Sequence, residues 1–350
     1  MRIWLDLLTP KQILFFDPLI KTLRRKGAEV LATSRHYREV EQLAELKGLQ
    51  LVFVGERGEN EPVSQLKASL SRMQLLLPHV QDFQPDAAVS VASADCARIC
   101  FGLRIRHVAV NDSPHSLIAA RLTIPLSHHL FTPWVIPYGS WTRYGLGRKD
   151  ITHYRALDPA AWLKRKRPAA PLPFELDGSK KTVLVRLEET YAPYMIGKDK
   201  SWTERVLQSL RTGLESANVV VLCRYVDQLR TIRERFGDSF IVPDKVVDGP
   251  SLILRSDVFV GMGGTMTTEA ALIGVPTVSA FQGTDLYTEK YLLSKHLLTK
   301  ARTPDQVTRF VKKTLQGKSN EAIKKRAKKE LDRMEDPVER ITQYILQLKS

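Results

Sequence analysis

Apolar residues recur along the chain in two alternating patterns: short β-rich runs and longer stretches with helical spacing. Between residues 63 and 83, for example, Leu66, Leu70 and Met73 stand three or four positions apart, which predicts an amphipathic helix. The strand-like runs of the first half are residues 2–8, 29–34, 49–55, 87–92 and 107–112, and its helical stretches include 13–26, 63–83 and 115–122. Strands that alternate with helices are typical of βαβ units, so the pattern predicts a mostly parallel sheet with right-handed crossovers.

A second series of the same kind follows a proline-rich, basic stretch at 161–181, whose middle we interpret as a linker. Its strand-like runs are 182–187, 219–224, 240–243, 257–261 and 277–281, and its helical runs are 202–214, 226–236, 265–273 and 285–295. A basic helical tail, broken at Pro337, ends the chain. We therefore predict an α/β protein with two Rossmann-like domains facing across a cleft. The expected segments are an acceptor-side domain at 1–168, a donor-nucleotide domain at 169–320, and C-terminal helices at 321–350 that pack back on the first domain.

The net charge of the chain indicates an anionic partner but does not identify which kind. The 350 residues include 53 Lys and Arg against 38 Asp and Glu, a formal charge of +15. This surplus favours nucleotide phosphates, an acidic membrane surface or nucleic acid. The spacing of the three cysteines fits no metal-ligand set, and neither a signal peptide nor a membrane-spanning run is recognisable. These features predict a cytoplasmic protein, at most peripheral at the inner face of the membrane, with no built-in cofactor or metal; a divalent cation that accompanies a diphosphate is left open.

The segment 256–281, SDVFVGMGGTMTTEAALIGVPTVSAF, carries the most informative chemistry. A predicted buried strand runs into the turn GMGG at 261–264, and Thr265 stands where the next helix begins. Glycine lets the backbone turn tightly and a ligand approach, while the helix presents unpaired N–H groups and the positive end of its dipole. The pattern predicts a phosphate-binding turn, to which the hydroxyls of Thr265, Thr267 and Thr268 could add donors.

Glu269, one turn into that helix, has two interpretations. Its carboxylate could accept hydrogen bonds from ribose hydroxyls, because a negative charge does not suit the phosphate itself. Alternatively, it is a carboxylate that simply favours a helix N-terminus. The residues alone leave these two interpretations about even.

The pattern strand–GGT–xxx–E–A–xxx–G–x–P–strand resembles the donor site of GT-B glycosyltransferases. It is similar in particular to that of the lipid-linked peptidoglycan N-acetylglucosaminyltransferase and of the non-hydrolysing UDP-N-acetylglucosamine 2-epimerases. The resemblance implies phosphate contacts from Gly263, Gly264 and Thr265, a ribose contact from Glu269, and donor-sugar contacts from Gln282 and Asp285. Over nearly the whole chain, the segments IWLDLLTPKQILFFDPLI, FGLRIRHVAVNDSPHS and RLEETYAPYM also resemble a family of short archaeal and bacterial GT-B-like proteins.

Further candidate residues follow the predicted strands, because the carboxyl ends of parallel strands line the ligand crevice. On the donor side these are Arg186, Glu188, Glu189 and Arg224, with Tyr191 and Tyr194 next in the chain. On the acceptor side they are Asp6, Thr9, Asp95 and Asn111, with Asp112 and His115 as candidate bases for an acceptor hydroxyl. Three of them have plainer alternatives: Asp112 as the N-cap of the helix at 115–122, His115 as a surface histidine, and Arg186 as a surface ion-pair partner.

The leading hypothesis is a glycosyltransferase that moves a sugar from a nucleotide-diphospho-sugar to a glycan or lipid-linked acceptor. A sugar-nucleotide epimerase ranks second, because the acid/base motifs of those enzymes are changed here: the corresponding stretches begin at Arg186 and His107 and read RLEET and HVAVND. The third alternative is a non-enzymatic basic protein that binds nucleic acid or membrane through residues 164–167 and the C-terminal helix. No nucleic-acid-binding motif accompanies these charges, so that partner ranks last.

Overall fold

The computed structural model describes residues 1–59, 61–165, 169–190, 197, 199, 201–214, 216–317 and 320–348. The chain forms two compact units: unit 1 comprises Met1–Lys164 and Met334–Ser350, and unit 2 comprises Arg165–Arg333. Tyr191, Tyr194 and residues 166–168 of the predicted linker lie outside the described residues.

Both units alternate strands with helices, as the sequence pattern predicts. The strands of unit 1 are β1 (Arg2–Asp6), β2 (Glu29–His36), β3 (Val52–Glu56), β4 (Ala87–Ser90), β5 (Arg106–Val110), β6 (His129–Pro133) and β7 (Ile151–Tyr154). Its helices up to the unit boundary are α1 (Pro10–Arg25), α2 (Arg38–Lys47), α3 (Pro62–Phe83), α4 (Ala94–Leu103), α5 (Leu117–Thr123), α6 (Gly139–Thr142) and α7 (Ala160–Leu163). The strands of unit 2 are β8 (Lys181–Arg186), β9 (Ala217–Leu222), β10 (Val258–Gly261), β11 (Thr277–Ser279) and β12 (Thr299–Lys300). Its helices are α8 (Trp202–Gly213), α9 (Val226–Phe236), α10 (Gly249–Leu254), α11 (Thr265–Ile273), α12 (Tyr287–Ser294), α13 (Pro304–Gln316) and α14 (Glu321–Arg333). The last helix, α15 (Pro337–Gln347), belongs to unit 1.

The sheet of unit 1 has seven parallel strands in the order β3-β2-β1-β4-β5-β6-β7. The chain builds outward from β1 to β3 and then crosses back to β4, so the order reverses between β1 and β4. On one face, Trp4 and Ala88 of the sheet pack with Leu76 of α3 and Cys100 of α4. A reversal of this kind leaves a crevice at the carboxyl ends of the two strands, where α/β proteins bind their ligands.

The sheet of unit 2 has five parallel strands in the order β12-β11-β10-β8-β9. Its core includes Val183, Val221 and Val260 from the strands, with Leu207 of α8 and Val311 of α13. The order reverses between β8 and β10. Residues that follow these two strands therefore occupy the ligand-binding edge of the unit.

The prediction of a two-domain α/β protein with Rossmann-like sheets is confirmed, while several elements differ. The predicted strand 240–243 is reduced to a single bridge between Ile241 and Val220, and Pro243, which lacks an N–H group, cannot extend the ladder. The short strands β6, β7 and β12 carry too little pattern to be recognised in the sequence. The helix α13 was not predicted, although Val307, Val311 and Leu315 stand at helical spacing. The predicted tail at 321–350 is divided: α14 packs on α11 in unit 2, whereas α15 packs on α1 in unit 1.

Candidate functional site

The Gly-rich turn of unit 2 connects β10 to α11 at the point where the strand order reverses. Gly263 and Gly264 both have positive φ, +103° and +83°, and Gly264 is the N-cap of α11. The turn is held between its neighbours, since Met262 N donates to Arg186 O at 3.0 Å and Ala280 N donates to Gly261 O at 2.8 Å. The first turn of α11 presents N–H groups that have no partner within the helix, together with the positive end of its dipole.

The two glycines meet different needs. A Cβ at Gly263 would lie 2.9 Å from the Phe281 ring. Both this steric overlap and the positive φ therefore disfavour any side chain at Gly263. A Cβ at Gly264 would meet nothing within 4 Å, and Gly264 is exposed. The lack of a side chain at Gly264 therefore leaves the approach to the α11 N-terminus open to a ligand from outside.

Glu269 is buried, with 1% of its surface exposed, and lies in the second turn of α11. Its Oε2 would stand 3.6 Å from a Cβ at Gly249, which places the carboxylate beside the start of α10. Because the first turn of α11 holds no acidic residue, attraction to the helix N-terminus does not explain this side chain. Thr268, next to it in the chain, is also buried, and Thr265 is half-buried at the first helical position.

The other donor-side candidates lie at the carboxyl ends of neighbouring strands and contact one another or the backbone. Arg186 at the end of β8 donates through Nη1 to Cys223 O at 3.0 Å, which ties the ends of β8 and β9 together. Arg224 forms an ion pair with Glu189 at 2.7 Å. Both arginines are only half-buried.

Gln282 and Asp285 follow β11 on the other side of the turn. The Gln282 amide makes two hydrogen bonds with the backbone of Asp199, at 3.1 and 3.0 Å. Asp285 pairs with Lys300 at 3.0 Å, and Lys300 also contacts Glu289 at 3.3 Å. Lys300, at the end of β12, is a further basic residue at this edge of the sheet. It could not be recognised from the sequence, because a strand of two residues leaves no pattern.

Asp6, an expected acceptor-side residue, lies inside unit 1 and is fully buried. It forms an ion pair with Arg72 at 2.6 Å, and Arg72 also pairs with Asp95 at 3.0 Å. Burial would raise the pKa of Asp6, but Arg72 and hydrogen bonds from Ser93 and Thr33 hold that pKa below its ordinary value. Asp6 therefore has a structural role instead of the expected contact with an acceptor. The carboxylate of Asp95 is likewise paired with Arg72.

A second charged cluster of unit 1 surrounds Asp112, which follows β5; Asp158 is fully buried, whereas Lys11 and Asp112 are half-buried. Lys11, in the first turn of α1, lies 2.6 Å from Asp112 Oδ2 and 2.7 Å from Asp158 Oδ2. The Tyr154 hydroxyl donates to Asp158 Oδ1 at 2.6 Å. Asp112 does not cap a helix, since α5 begins at Leu117, so that alternative is wrong.

The surroundings of the cluster shift the pKa values of its two carboxyl groups in opposite directions. Burial, together with the nearby charge of Asp112, raises the pKa of Asp158 to about 6. Burial opposes ionisation of Asp112 as well, but Lys11 and Ser113 hold the pKa of Asp112 below its ordinary value, with a smaller contribution from His115. The same carboxylates raise the pKa of Lys11 against the effect of its burial. Near neutral pH the cluster thus holds an ionised Asp112 beside a carboxyl that titrates close to pH 6.

Asn111 and Thr9 complete the acceptor-side candidates. Asn111 Oδ1 accepts from Ser113 N at 2.8 Å, while its Nδ2 is buried and has no hydrogen-bond partner among the described residues. A buried donor of this kind needs an explanation, and a ligand oxygen would supply one. Thr9 is the N-cap residue of α1, directly before the segment that carries Lys11.

Three residues that shape these clusters were not singled out from the sequence. Lys11 lies just beyond β1, where a strand-end search would find it. Asp158 follows β7, and without that strand it cannot be placed. Arg72 gives no signal at all, because a charged residue in the buried stripe of a helix contradicts the ordinary pattern.

The Asp158 carboxyl gives unit 1 a pH dependence that Asp158→Asn should remove. Since the pKa is raised in the folded state, the folded protein binds more protons than the unfolded chain between about pH 4 and pH 6. Stability therefore falls as pH rises through this window, by about 3 kcal/mol for this group. The amide oxygen of the variant can still accept from Tyr154. Urea unfolding of both proteins from pH 4 to 7.5 should show a stability difference that grows in favour of the variant up to about pH 6 and then levels off. A constant difference across this range would contradict the assignment.

Two features are absent from the described part of the chain. No helix there is long and apolar enough to cross a membrane. No group of three or more His, Cys, Asp or Glu side chains there has an arrangement that would hold a metal ion.

The two parallel α/β units, with a Gly-rich turn at the reversal point of the second, define a protein of the GT-B fold. Methanocaldococcus jannaschii UDP-GlcNAc 2-epimerase, solved in complex with UDP-GlcNAc and UDP, matches 98% of this chain and 100% of its own, with a TM-score of 0.70 and 14% identity. Spinosyn forosaminyltransferase matches 100% of both chains, with a TM-score of 0.63 and 18% identity. At identities this low, the TM-scores show a likeness of fold alone.

The chain belongs to the family described as protein of unknown function DUF354, whose model matches residues 1–348. An uncharacterised protein of Methanocaldococcus jannaschii is 26% identical to it over 319 residues, which are 89% of this chain and 91% of the relative.

Proposed function

We propose that the protein is a glycosyltransferase that binds a nucleotide-diphospho-sugar through unit 2. The observation that carries this proposal is the open position of Gly264 at the N-terminus of α11. Gly264 is exposed, and a Cβ added there would meet nothing within 4 Å. A diphosphate fits this place because helix N–H groups and the helix dipole both favour an anion there. Proteins of the same fold include an epimerase in complex with UDP-GlcNAc and several sugar transferases, which supports a sugar nucleotide as the ligand.

The surrounding residues suit the rest of such a donor. Arg186 and Arg224 supply positive charge for the diphosphate, and Thr265 and Thr268 supply hydroxyls. Glu269, in the second turn of α11, would accept hydrogen bonds from the ribose hydroxyls. Gln282, Asp285 and Lys300 would contact the sugar, since they follow the next strands of the sheet.

The candidate bases Asp112 and His115 both belong to unit 1. In the transfer step, the acceptor oxygen forms a bond to the anomeric carbon while the nucleotide diphosphate leaves with the bonding electron pair. The acceptor proton passes to Asp112, which Lys11 keeps ionised, or to the neighbouring His115. The low pKa of Asp112 makes it a weak base while Lys11 stays paired, so Lys11 would have to shift toward Asp158 as the proton arrives.

Thermal unfolding with a panel of nucleotides and sugar nucleotides tests the donor site. One nucleotide diphosphate or its sugar conjugate should stabilise the wild type, by about 2.7 kcal/mol at 100 times its Kd. Glu269→Ala should lose that shift, because the ribose acceptor is gone. Glu330→Ala is the matched control, since Glu330 of α14 is also a buried glutamate of unit 2. Its Oε2 accepts a hydrogen bond from the Tyr291 hydroxyl at 2.6 Å. It should lower the baseline melting temperature and keep the shift; equal shifts in wild type and Glu269→Ala would sink the donor-site assignment.

An epimerase is the second candidate, and the Asp112–Lys11–Asp158 cluster is the observation that favours it. Two carboxyls with separated pKa values suit the removal and return of a proton at carbon. Incubation of the identified sugar nucleotide in deuterium oxide without any acceptor separates the two activities. Deuterium in the sugar would establish epimerisation, whereas nucleotide release that depends on an added acceptor would establish transfer.

A further inference from the structure

The large apolar side chains that unit 1 leaves exposed concentrate on three neighbouring helices. α3 packs beside α4, and α4 beside α5. Nine of their large apolar side chains are between 41% and 64% exposed, and eight of these, all except Leu75 of α3, form one set. We call this set the α3–α5 face: Val63, Leu66, Leu70, Phe101, Leu103, Leu117, Ile118 and Leu122.

These residues form outward stripes and are not scattered. In α3, Val63, Leu66 and Leu70 follow helical spacing, on the side away from the buried Arg72 and Leu76. In α5, Ile118 and Leu122 are one turn apart, while Ala120 and Thr123 face inward. α3 is thus apolar on its outer side as well as on its core side, which an ordinary surface helix is not.

Basic residues outnumber acidic ones at the α3–α5 face. Lys67, Arg98, Arg104 and Arg121 are exposed on or next to these helices. The acidic residues of the three helices are Asp82, at the last turn of α3, and Asp95, which is buried against Arg72. Glu59 and Glu61 are exposed directly before α3. An apolar surface rimmed by basic side chains is complementary to a bilayer with anionic headgroups, where apolar burial and electrostatic attraction act together.

We infer that the α3–α5 face docks unit 1 on an anionic lipid bilayer, with the apolar stripes inserted at the interface and the basic rim on the headgroups. A second copy of the chain is the less suitable occupant, because symmetric pairing would bring the basic rims of both copies together. This surface goes beyond the proposed transferase activity and does not depend on it. It also differs from the basic C-terminal helix, where charge alone suggests a membrane contact.

Co-sedimentation with phosphatidylcholine vesicles, with and without phosphatidylglycerol, tests the inference at low ionic strength. Wild type should bind only the anionic vesicles. Arg98→Gln/Arg121→Gln should bind about 30-fold more weakly, because two basic residues near the headgroups are lost. Leu66→Gln/Ile118→Gln should weaken binding at least about tenfold through lost apolar burial.

Two matched variants of unit 2 serve as controls. Lys325→Gln/Lys328→Gln removes two exposed basic residues from α14, and Val226→Gln/Leu254→Gln removes two exposed apolar side chains, 55% and 64% exposed. Both should bind vesicles like wild type, and the thermal unfolding of every variant checks that it folds. Absence of vesicle binding by wild type, or a loss confined to the α14 variant, would overturn the inference. So would a wild-type dimer, seen by light scattering, that Leu66→Gln/Ile118→Gln dissociates without any vesicle binding, since the face would then belong to a second copy.

Discussion

Arg72→Met should lower the free energy of unfolding by about 3–5 kcal/mol at pH 7. Arg72 is 1% exposed and lies between two carboxylates, 2.6 Å from Asp6 and 3.0 Å from Asp95. It also donates through Nε to Val54 O at 3.0 Å, so it joins α3 to β1, β3 and α4. Methionine fills a similar volume but leaves Asp6 ionised and uncompensated in the interior, which is the costly part of breaking a buried pair. Urea denaturation of the purified variant measures the loss directly.

The control for this variant is Arg24→Met, which removes an exposed arginine from α1 and should change stability by no more than about 0.5 kcal/mol. A pH series adds an independent check. In wild type the pKa of Asp6 is held low, so its contribution to stability is present above its unfolded pKa and is lost as pH falls through the folded value. Without Arg72, burial raises that pKa instead, so the gap between wild type and Arg72→Met should narrow as pH falls from 7 toward 4. An equal loss in both methionine variants, or a gap that does not vary with pH, would show that the buried ion pair does not stabilise unit 1.

The donor half of the candidate site was accessible from the sequence because its signals are local. A β-rich run, glycines that need positive φ, a stretch of good helix formers and Gly274 with a φ of +88° at the C-cap follow one another in the chain. Each signal acts on its immediate neighbours, so the helix bounds of α11 at Thr265–Ile273 agree with the predicted 265–273.

The clusters of unit 1 were not accessible in the same way, because they depend on contacts between distant parts of the chain. Asp112 was recognised as a residue beyond a strand, but its partner Lys11 comes from α1, and Asp158 comes from the loop after a four-residue strand. Asp6 shows the opposite error: its place beyond β1 suggests a ligand contact, but Arg72 of α3 reaches it and removes it from the surface. Strand-end position predicts where a side chain lies along the sheet edge, whereas its partners decide whether a ligand can reach it.

Gly264→Ala should reduce the proposed transferase activity on the order of 100-fold, because a displaced diphosphate loses its alignment with the helix N–H groups. The added Cβ meets no protein atom within 4 Å, so it projects into the space that the phosphate would occupy. Binding of the nucleotide found in the thermal panel should weaken in parallel, and calorimetric titration measures it. The fold should survive, since the cost is the strain of a non-glycine residue at a φ of +83°, about 1–3 kcal/mol.

Gly237→Ala separates that strain from the loss of the ligand. Gly237, at the end of α9 in the same unit, also has positive φ, +50°, and an added Cβ there meets nothing within 4 Å. Its alanine variant should therefore carry a similar conformational cost while nucleotide binding and turnover stay close to wild type. If both variants lose binding equally, strain in unit 2 explains the loss. If neither does, the diphosphate does not lie over the Gly264 turn, and the donor must be sought at the arginines that follow β8 and β9.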